Sequence, residues 1–579
     1  MTTLARALSL GLLTLALAYP LAAQQPSQPE AATGTAAKSL VHARHQMVAA
    51  ANPLAAEAGR RILRAGGSAV DAAIATQMVL NLVEPQSSGI GGGAFLVIWN
   101  SGKKALTTVD ARETAPAAAK PDRFLGSDGK PLRFYDAVVG GKSVGVPGVL
   151  HGLELAHKAH GRLPWAKLFD PAIELAESGF PISPRLNGLL KSEPHLAKTP
   201  AAKAHFYDAD GNPKAIGTRL TNQPLAETLK AIARGGADAF YSGDIARDIV
   251  ATVRGAATAG DLTEADLAGY RAKERPAVCG PYRVWEVCGM GPPSSGGLTL
   301  LQILGVLESF DLKAEAPWSI RGLHLLSEAE RLGYADRGLY MADSDFFPVP
   351  IKGLTDRGYL KGRAALINPD ASLKVAQPGT PPQTTAALGA DDALELPSTT
   401  QISIVDRWGN AVSMTTTIED QFGSRLMVRG FLLNNQLTDF SFSPEENGKP
   451  VANRVEAGKR PRSSMAPTLV FDRNRNLVMV VGSPGGSAII NYVAKVIVAT
   501  LDWGQDIQSA ISFPNVGSRN GPTEIEEGPS AAAIAASLRA LGHETRIAEY
   551  TSGIQGIVVT RKGLTGGADP RREGVALGD

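Results

Sequence analysis

The chain has 579 residues, of which 44% are apolar and 20% charged, proportions that are ordinary for a globular protein. Lysine and arginine number 58 against 56 acidic residues, so the formal net charge is only +2. Nucleic-acid-binding proteins carry a strong basic surplus or basic blocks, and neither is present here. We therefore do not expect nucleic acid as a partner.

The first residues have the composition of an export signal. Arg6 precedes an apolar run from Ala7 to Ala18, and residues 20–24 resemble a small-residue cleavage site. Because the run is too short to span a bilayer, residues 1–23 are predicted to be a signal peptide and the protein to be secreted or periplasmic. A membrane anchor is the alternative. Residues 24–38 are predicted to form a flexible leader, and no later segment is apolar enough to span a membrane.

Hydrophobic periodicity divides the rest of the chain into a helix-rich part and a strand-rich part. In the first part apolar residues recur at intervals of three and four positions, as in helices. After residue 399 apolar and polar residues alternate with a period of two, as in strands. Helices are predicted at 53–82, 149–160, 165–178, 225–234, 297–309, 320–340, 488–501 and 529–541. Strands are predicted at 94–99, 399–405, 411–418, 431–433, 468–471, 477–481 and 554–560. This order of elements predicts an α+β layered fold.

Residues 378–396 separate the two parts. They are rich in Pro, Gly, Ala and Asp, which predicts an exposed linker. Thr399 follows this linker and begins the first strand of a predicted hairpin. A threonine at a new N-terminus carries an α-amine with a pKa of about 7.7–8.0, and this amine can act as general base for the hydroxyl. Thr399 is therefore a candidate nucleophile if the chain is cut between Ser398 and Thr399.

Three glycine-rich segments carry weaker signals. Gly141–Gly145 fits the G-x-S-x-G pattern of serine hydrolases, but Pro147 breaks the helix that this motif requires. Gly89–Ala94 fits a dinucleotide fingerprint loosely and lacks the preceding strand, so we expect a tight structural loop. Gly482–Ser487 follows a strand and precedes a helix, where its N–H groups either hold an oxyanion or form an ordinary turn.

The two cysteines, Cys279 and Cys288, lie in the segment 278–290, which alternates like a hairpin. They would pair in an oxidising compartment, and packing as two free thiols is the alternative. Their spacing fits no zinc pattern because a second pair of ligands is missing. No metal and no organic cofactor are predicted.

Eight motifs, in order along the chain, resemble those of the γ-glutamyltransferase family. They are EPQSSGIGGG (84–93), DARETAP (110–116), PPSSGG (292–297), TTQIS (399–403), LLNNQLTDF (432–440), RPRSSM (460–465), GSPGGS (482–487) and DPR (569–571). The resemblance covers nearly the whole chain after the leader. It implies an N-terminal-nucleophile hydrolase fold, an αββα sandwich whose chain is cut into a large subunit (39–398) and a small subunit (399–579).

The resemblance also implies roles for individual residues. Thr399 would attack the γ-amide carbonyl of the donor and form an acyl-enzyme, and Thr417 would hydrogen-bond to Thr399. Gly485 and Gly486 would donate to the oxyanion. The glutamyl head group would be held at its carboxylate by Arg112, Ser463 and Ser464, and at its ammonium by Glu419, Gln436 and Asp439. For Arg112 taken alone, a surface ion pair with Asp110 or Glu113 is the alternative.

Two positions depart from the family pattern. Glu419 stands where many members have asparagine, and its carboxylate can accept from an ammonium but adds negative charge near the donor's carboxylate. The segment 440–459 corresponds to the lid of some members, looks shorter than in those members and contains no tyrosine. An open site is therefore expected.

The expected activity is cleavage of the γ-glutamyl amide of glutathione and related compounds, with release to water or transfer to amino acids or peptides. The two subunits would remain together as a heterodimer. A glutaryl or cephalosporin-type acylase on the same fold is the closest alternative. An inactive exported binding protein and an esterase that uses Ser143 are the alternatives from other classes.

Overall fold

A computed structural model describes residues 36–382, 384, 388–391, 393–396 and 398–579. The predicted signal peptide at residues 1–23 and most of the predicted leader lie outside the described residues. In the described part of the chain, no helix is both long enough and apolar enough to cross a bilayer.

Two seven-stranded antiparallel sheets lie face to face at the centre of the fold. The first sheet contains, in spatial order, Val575–Gly578, Met47–Ala50, Thr399–Val405, Ala411–Thr417, Gly93–Asn100, Ala105–Ala111 and Lys273–Arg275. The second contains Val41–Ala43, Gly563–Ala568, Gln555–Thr560, Leu477–Gly482, Thr468–Phe471, Trp285–Gly289 and Val278–Tyr282. Apolar side chains of both sheets, including Val97, Phe471 and Ile557, meet in one buried layer between them.

Helices cover the outer face of each sheet. The core on the side of the first sheet includes residues of Pro53–Arg64, Ala69–Val83, Val149–His160, Asp170–Ser178, Pro184–Ser192, Pro200–Phe206, Gln223–Gly235, Asp238–Tyr241, Gly243–Arg254 and Glu264–Gly269. The core on the side of the second sheet includes residues of Gly296–Leu307, Ile320–Tyr340, Arg357–Ala364, Ile489–Leu501 and Ile507–Ser512. The predicted αββα sandwich is confirmed.

Shorter elements lie around this sandwich. Further helices, Phe134–Val138, Ile351–Leu354 and Ala531–Ala540, pack on smaller apolar clusters. Small sheets are formed by Phe180–Pro181 with Arg219–Leu220, Met427–Val428 with Phe431–Leu432, Glu445–Glu446 with Lys449–Pro450, and Val516–Gly517 with Thr523–Glu526 and Thr545–Ala548. The strand predicted at 431–433 belongs to one of these small sheets.

Local chemistry sets helix boundaries that the periodicity does not reveal. The predicted helix 53–82 is two helices, because Gly66 adopts a φ of +88° that suits glycine and interrupts the helix. Ser68 then caps the second helix by accepting from the N–H of Asp71 at 3.1 Å. The predicted helix 165–178 begins as an α-helix only at Asp170, after a 3₁₀ turn.

Cys279 and Cys288 form a disulfide between two adjacent strands. The predicted hairpin is confirmed, and the pairing decides between the alternatives that the sequence left open. The turn lies between Tyr282 and Trp285, where Arg283 has a φ of +56°.

The strands Thr399–Val405 and Ala411–Thr417 form the predicted hairpin at the middle of the first sheet. Thr399 lies directly opposite Thr417, and every residue of the two strands is buried. At the turn, the Asp406 carboxylate accepts from the N–H groups of Trp408 and Asn410, each at 2.9 Å. The hairpin therefore places Thr399 at the end of a buried strand. The register of this strand is fixed by pairing with Ala411–Thr417 on one side and with Met47–Ala50 on the other.

Candidate functional site

Thr399 begins its strand within a chain of hydrogen bonds. Its hydroxyl donates to the Thr417 hydroxyl oxygen at 3.3 Å. The Thr417 hydroxyl donates to the carbonyl of Ser398 at 2.8 Å and accepts from the N–H of Glu419 at 2.8 Å. Such an arrangement can polarise the carbonyl that precedes Thr399 while the attacking hydroxyl is held beside it. The contact between Thr399 and Thr417 is the one expected from the sequence.

Two buried charged side chains contact Thr399 and the residue that follows it. Arg572 donates from Nη1 to the carbonyl of Thr399 at 2.9 Å. The hydroxyl of Thr400 donates to the carboxylate of Glu84 at 2.6 Å. Arg572 was not predicted, although it directly follows the DPR motif. Its guanidinium places a positive charge next to the residue whose amine would become an N-terminus.

A small cavity lies beside Thr399. It is lined by Arg112, Glu395, Leu396, Thr399, Thr417, Glu419, Gln436, Asp439, Ser463, Ser464, Met465, Gly486 and Ile489. Every predicted site residue except Ser398 and Gly485 is in this lining. The volume is about 20 Å³, which leaves room for about one water molecule. The uncleaved chain therefore has no space for a glutamyl group.

Arg112 is buried, so the ion pair with Glu113 that was the alternative, with Nη1 4.0 Å from the carboxylate, does not lie at the surface. Its Nη2 pairs with the carboxylate of Asp439 and donates to the carbonyl of Arg462 at 2.8 Å. Its Nε donates to the carbonyl of Pro461 at 3.1 Å. Gln436 donates to the same Asp439 carboxylate at 2.7 Å. Three predicted site residues are thus joined in one hydrogen-bonded group.

The carboxyls at this end of the cavity have raised pKa values. Burial raises the pKa of Asp439 to about 6, against the opposing effect of the Arg112 guanidinium. Burial raises the pKa of Glu419 well above its usual range, and the neighbouring carboxylates of Asp439 and Asp420 add to the rise. Glu419 accepts from the N–H of Leu396 at 3.3 Å. This end of the cavity therefore carries less negative charge than two ionised carboxylates would give.

Ser463 and Ser464 are held by residues from distant parts of the chain. The N–H and the hydroxyl of Ser295 both donate to the carbonyl of Ser463, each at 2.7 Å. Arg337 donates from Nη2 to the hydroxyl oxygen of Ser464 at 2.6 Å and from Nε to the hydroxyl oxygen of Ser295 at 2.9 Å. Arg337 lies inside a long helix with no motif around it, so the sequence offered no signal for its place in the site.

The glycine turn after the strand Leu477–Gly482 lies at the floor of the cavity. Gly485 and Gly486 have φ values of +140° and +55°, in the region that favours glycine. A Cβ atom at Gly486 would lie 2.5 Å from the carbonyl oxygen of Glu395. A Cβ atom at Gly485 would lie 2.5 Å from the ring of Tyr492. A larger residue would therefore clash at either position. The turn lies between a strand and a helix, as predicted.

The end of the linker is buried, which corrects the prediction of exposure for this part of 378–396, whereas Pro378, Thr380, Pro382 and Ala390 are exposed as expected. Glu395 and Leu396 are each 7% exposed. Further back, Gly389 forms a β-bridge with Val451, which belongs to the segment 440–459. The open site that a short lid predicts is not seen in the uncleaved chain, because residues of the linker fill the cavity.

The competing motifs take structural places. Ser143 lies in a buried 3₁₀ turn, where its hydroxyl donates to the carbonyl of Val138 at 2.6 Å. A helix rather than a strand precedes it, so the esterase reading is wrong. A Cβ atom at Gly92 would lie 2.0 Å from the carbonyl oxygen of Thr417. The segment Gly89–Ala94 is thus the tight structural loop that was expected.

The geometry above agrees with the sequence comparisons. The family model described as γ-glutamyltranspeptidase matches residues 55–579. The chain belongs to the γ-glutamyltranspeptidase family. It is 38% identical over 543 residues to the glutathione hydrolase proenzyme of Bacillus subtilis, covering 92% of this chain and 91% of that protein. It is 34% identical over 561 residues to the acylase ACY 1 proenzyme of a Pseudomonas species, covering 95% and 96%.

A solved structure supports the same assignment. Cephalosporin acylase from Bacillus halodurans matches with a TM-score of 0.81 at 27% identity, covering 94% of this chain and 98% of that chain. The N-terminal-nucleophile fold and the family that the motifs implied are confirmed. The chain is therefore an enzyme of the γ-glutamyltranspeptidase family.

Proposed function

We propose that the chain is a proenzyme that cuts itself between Ser398 and Thr399. The products are a large subunit (39–398) and a small subunit (399–579) that stay together as a heterodimer. The observation that carries this proposal is the hydrogen-bond chain from the Thr399 hydroxyl through Thr417 to the Ser398 carbonyl. The proenzyme names of its relatives support it.

The cutting reaction uses groups of the chain and one water molecule. Oγ of Thr399 attacks the carbonyl carbon of Ser398, and the Thr417 hydroxyl stabilises the negative charge that develops on the carbonyl oxygen. The proton that Oγ loses passes to the Thr399 nitrogen as the amide C–N bond breaks, which leaves an ester between Ser398 and Thr399 and a free α-amine on Thr399. Water hydrolyses the ester, and Thr399 then carries both a free hydroxyl and a free α-amine.

The mature enzyme would act on γ-glutamyl amides such as glutathione. The α-amine of Thr399 takes the hydroxyl proton as Oγ attacks the γ-carbonyl carbon. The N–H groups of Gly485 and Gly486 would receive the oxyanion. The proton passes to the leaving amine as the C–N bond breaks, and the acyl group is released to water or to the amine of an amino acid or peptide.

The two ends of the cavity suit the two charges of a glutamyl head group. The α-carboxylate would be bound by Arg112, Ser463 and Ser464, and the α-ammonium by Glu419, Gln436 and Asp439. A guanidinium and two hydroxyls donate hydrogen bonds to a carboxylate, whereas carboxylate and amide oxygens accept from an ammonium. We also propose residues 1–23 as an export signal, which would make the enzyme secreted or periplasmic.

A glutaryl or cephalosporin-type acylase is the second candidate. It is favoured by the pairing of Asp439 with Arg112 and by the raised pKa of Glu419. Both features reduce the negative charge that is available to bind an ammonium on the donor. Three of the matched proteins are named acylases, and each aligns over 94–95% of this chain.

One experiment separates the two candidates. Cleavage of γ-glutamyl-p-nitroanilide and glutaryl-p-nitroanilide is followed with the purified, processed protein. We expect kcat/KM to be at least about tenfold higher for the γ-glutamyl compound, because only this donor can use the ammonium acceptors. The reverse preference would support the acylase instead. The Thr399→Ala variant is the control and should neither be cut nor release nitroaniline.

A further inference from the structure

Glu395 lies four positions before Thr399, and its carboxylate is buried at the serine end of the cavity. It accepts hydrogen bonds from Nη2 of Arg337 and from the hydroxyl of Ser464. Nε of Arg462 donates to it at 3.2 Å. The two arginines come from a distant helix and from the RPRSSM motif. Two distant parts of the chain thus converge on one side chain of the linker.

This carboxylate remains charged although it is buried. Burial by itself raises the pKa of Glu395, but the guanidiniums of Arg337 and Arg462 and the hydroxyl of Ser464 outweigh burial and lower the pKa to about 2. Charge-assisted hydrogen bonds of this kind are stronger than bonds between neutral groups. The linker is therefore fixed firmly at Glu395.

The same linker residues contact both ends of the cavity that the proposed function assigns to the donor's head group. The Glu395 carboxylate accepts a hydrogen bond from the hydroxyl of Ser464, which would otherwise donate to the donor's carboxylate. The Leu396 N–H donates to Glu419, as the donor's ammonium would. The Glu395 carbonyl oxygen lies beside Gly486 and accepts from the N–H of Ser487 at 3.4 Å. The linker occupies the cavity in the manner of a substrate.

The scissile bond lies between two fixed points. Beyond it, Thr399 is held by strand pairing with Thr417 and by Arg572. Before it, Glu395 is held by the buried arginines. Each backbone residue that is ordered before the reaction removes about 1–2 kcal/mol of conformational entropy from the barrier. Anchoring at Glu395 therefore favours a close approach of the Ser398 carbonyl to the hydroxyls of Thr399 and Thr417.

We propose that Glu395 is a positioning residue for self-cleavage, and that it uses the donor's carboxylate-binding end of the cavity as its anchor. The location of that end rests on the proposed function. Glu395 acts through the Ser398 carbonyl and does not touch the reacting atoms. Once the bond is cut, the linker has lost its covalent anchor at Thr399. Departure of Glu395 then exposes Ser464 and Arg337 to the carboxylate of a donor.

The first test measures self-cleavage directly. Four proteins are made by pulse-labelled cell-free synthesis, and their cutting is followed on denaturing gels. They are wild type, Glu395→Gln, Glu395→Asp and the control Glu445→Gln. The control alters an exposed glutamate of a small surface hairpin. Glu395→Gln should cut about 10- to 100-fold more slowly, because it loses charge-assisted hydrogen bonds. Glu395→Asp should retain part of the rate, and Glu445→Gln should match wild type. Cutting of Glu395→Gln at the wild-type rate would overturn the proposal.

The second test asks whether the linker and a donor share one site. Uncleavable Thr399→Ala and Thr399→Ala/Glu395→Gln proteins are titrated with L-glutamate and, separately, with glutarate, and their melting temperatures are measured. Neither compound should stabilise the single variant, whereas the double variant should be stabilised. Equal responses of the two proteins to both compounds, or no response of either, would overturn the proposal.

The outcomes keep this inference separate from the proposed function. Stabilisation of the double variant by glutarate alone would retain Glu395 as the anchor and refute the γ-glutamyl specificity. A cooperative melting transition of the double variant shows that it folds. If it does not fold, Ser464→Ala replaces Glu395→Gln in the first test, since this change removes one hydrogen bond of Glu395 and leaves its charge in place. Thr399→Ala/Glu395→Asp then replaces the double variant in the second test. A wild-type rate of cutting in Ser464→Ala would also overturn the proposal.

Discussion

Replacing Thr417 with valine should nearly abolish self-cleavage while the fold is kept. Valine has the shape of threonine without the hydroxyl, so the change removes the donor that lies 2.8 Å from the Ser398 carbonyl oxygen. Loss of one donor to a developing oxyanion costs about 2.7–4 kcal/mol, or about 10²–10³-fold in rate. The Glu419 N–H also loses its acceptor, and such an orphaned group costs about 1–3 kcal/mol of stability.

The matched control is Thr415→Val, on the same strand and the same face. The Thr415 hydroxyl donates to Gln401 at 2.7 Å, away from the scissile bond. Both variants and wild type are produced by pulse-labelled synthesis, cutting is followed on denaturing gels, and melting temperatures are recorded. Thr415→Val should lose stability but cut at close to the wild-type rate. Equal cutting by Thr417→Val and wild type would refute the role given to the Thr417 hydroxyl.

Three further predictions concern the mature enzyme. Burial raises the pKa of Asp439 to about 6 in the uncleaved chain, so its carboxylate becomes protonated as the pH falls below about 6. KM for the γ-glutamyl donor should then rise, and a KM that does not change with pH would contradict this role. Arg572→Gln removes a positive charge near the Thr399 amine, so the acid limb of the pH–rate profile should move upward by about half to one unit; an unmoved limb would argue against the assignment. Arg112→Lys keeps the charge but loses the planar guanidinium that binds Asp439 and two carbonyls. In steady-state assays kcat/KM should therefore fall by about 10- to 100-fold, and an unchanged value would contradict the role of Arg112 in binding the donor's carboxylate.

The sequence predicted the nucleophile's surroundings better than the rest of the site. The hairpin from Thr399 follows from alternation of period two and from the turn residues Asp406 to Asn410, both of which are local signals. The glycine turn at Gly485 and Gly486 follows from its position between a strand and a helix. Such local features are encoded within a few residues and can be recognised without the fold.

Other features depend on contacts between distant residues and could not be predicted. The linker's composition predicts exposure, but Glu395 is buried because Arg337 and Arg462 meet there in the folded chain. Arg572 reaches the Thr399 carbonyl from the far end of the sequence. The break at Gly66, by contrast, was predictable, because Gly66 and Gly67 form a Gly-Gly pair and Ser68 is a typical helix N-cap residue.

The central claim is that Thr399 becomes the N-terminal nucleophile through self-cleavage. N-terminal sequencing and intact-mass analysis of the purified protein's smaller fragment test it most directly, with Thr399→Ala as the comparison. The predicted result is a fragment that begins at Thr399 in the wild type and a single uncut chain in the variant. A fragment that begins elsewhere, an uncut wild type, or a variant that is cut at the same bond would contradict the account.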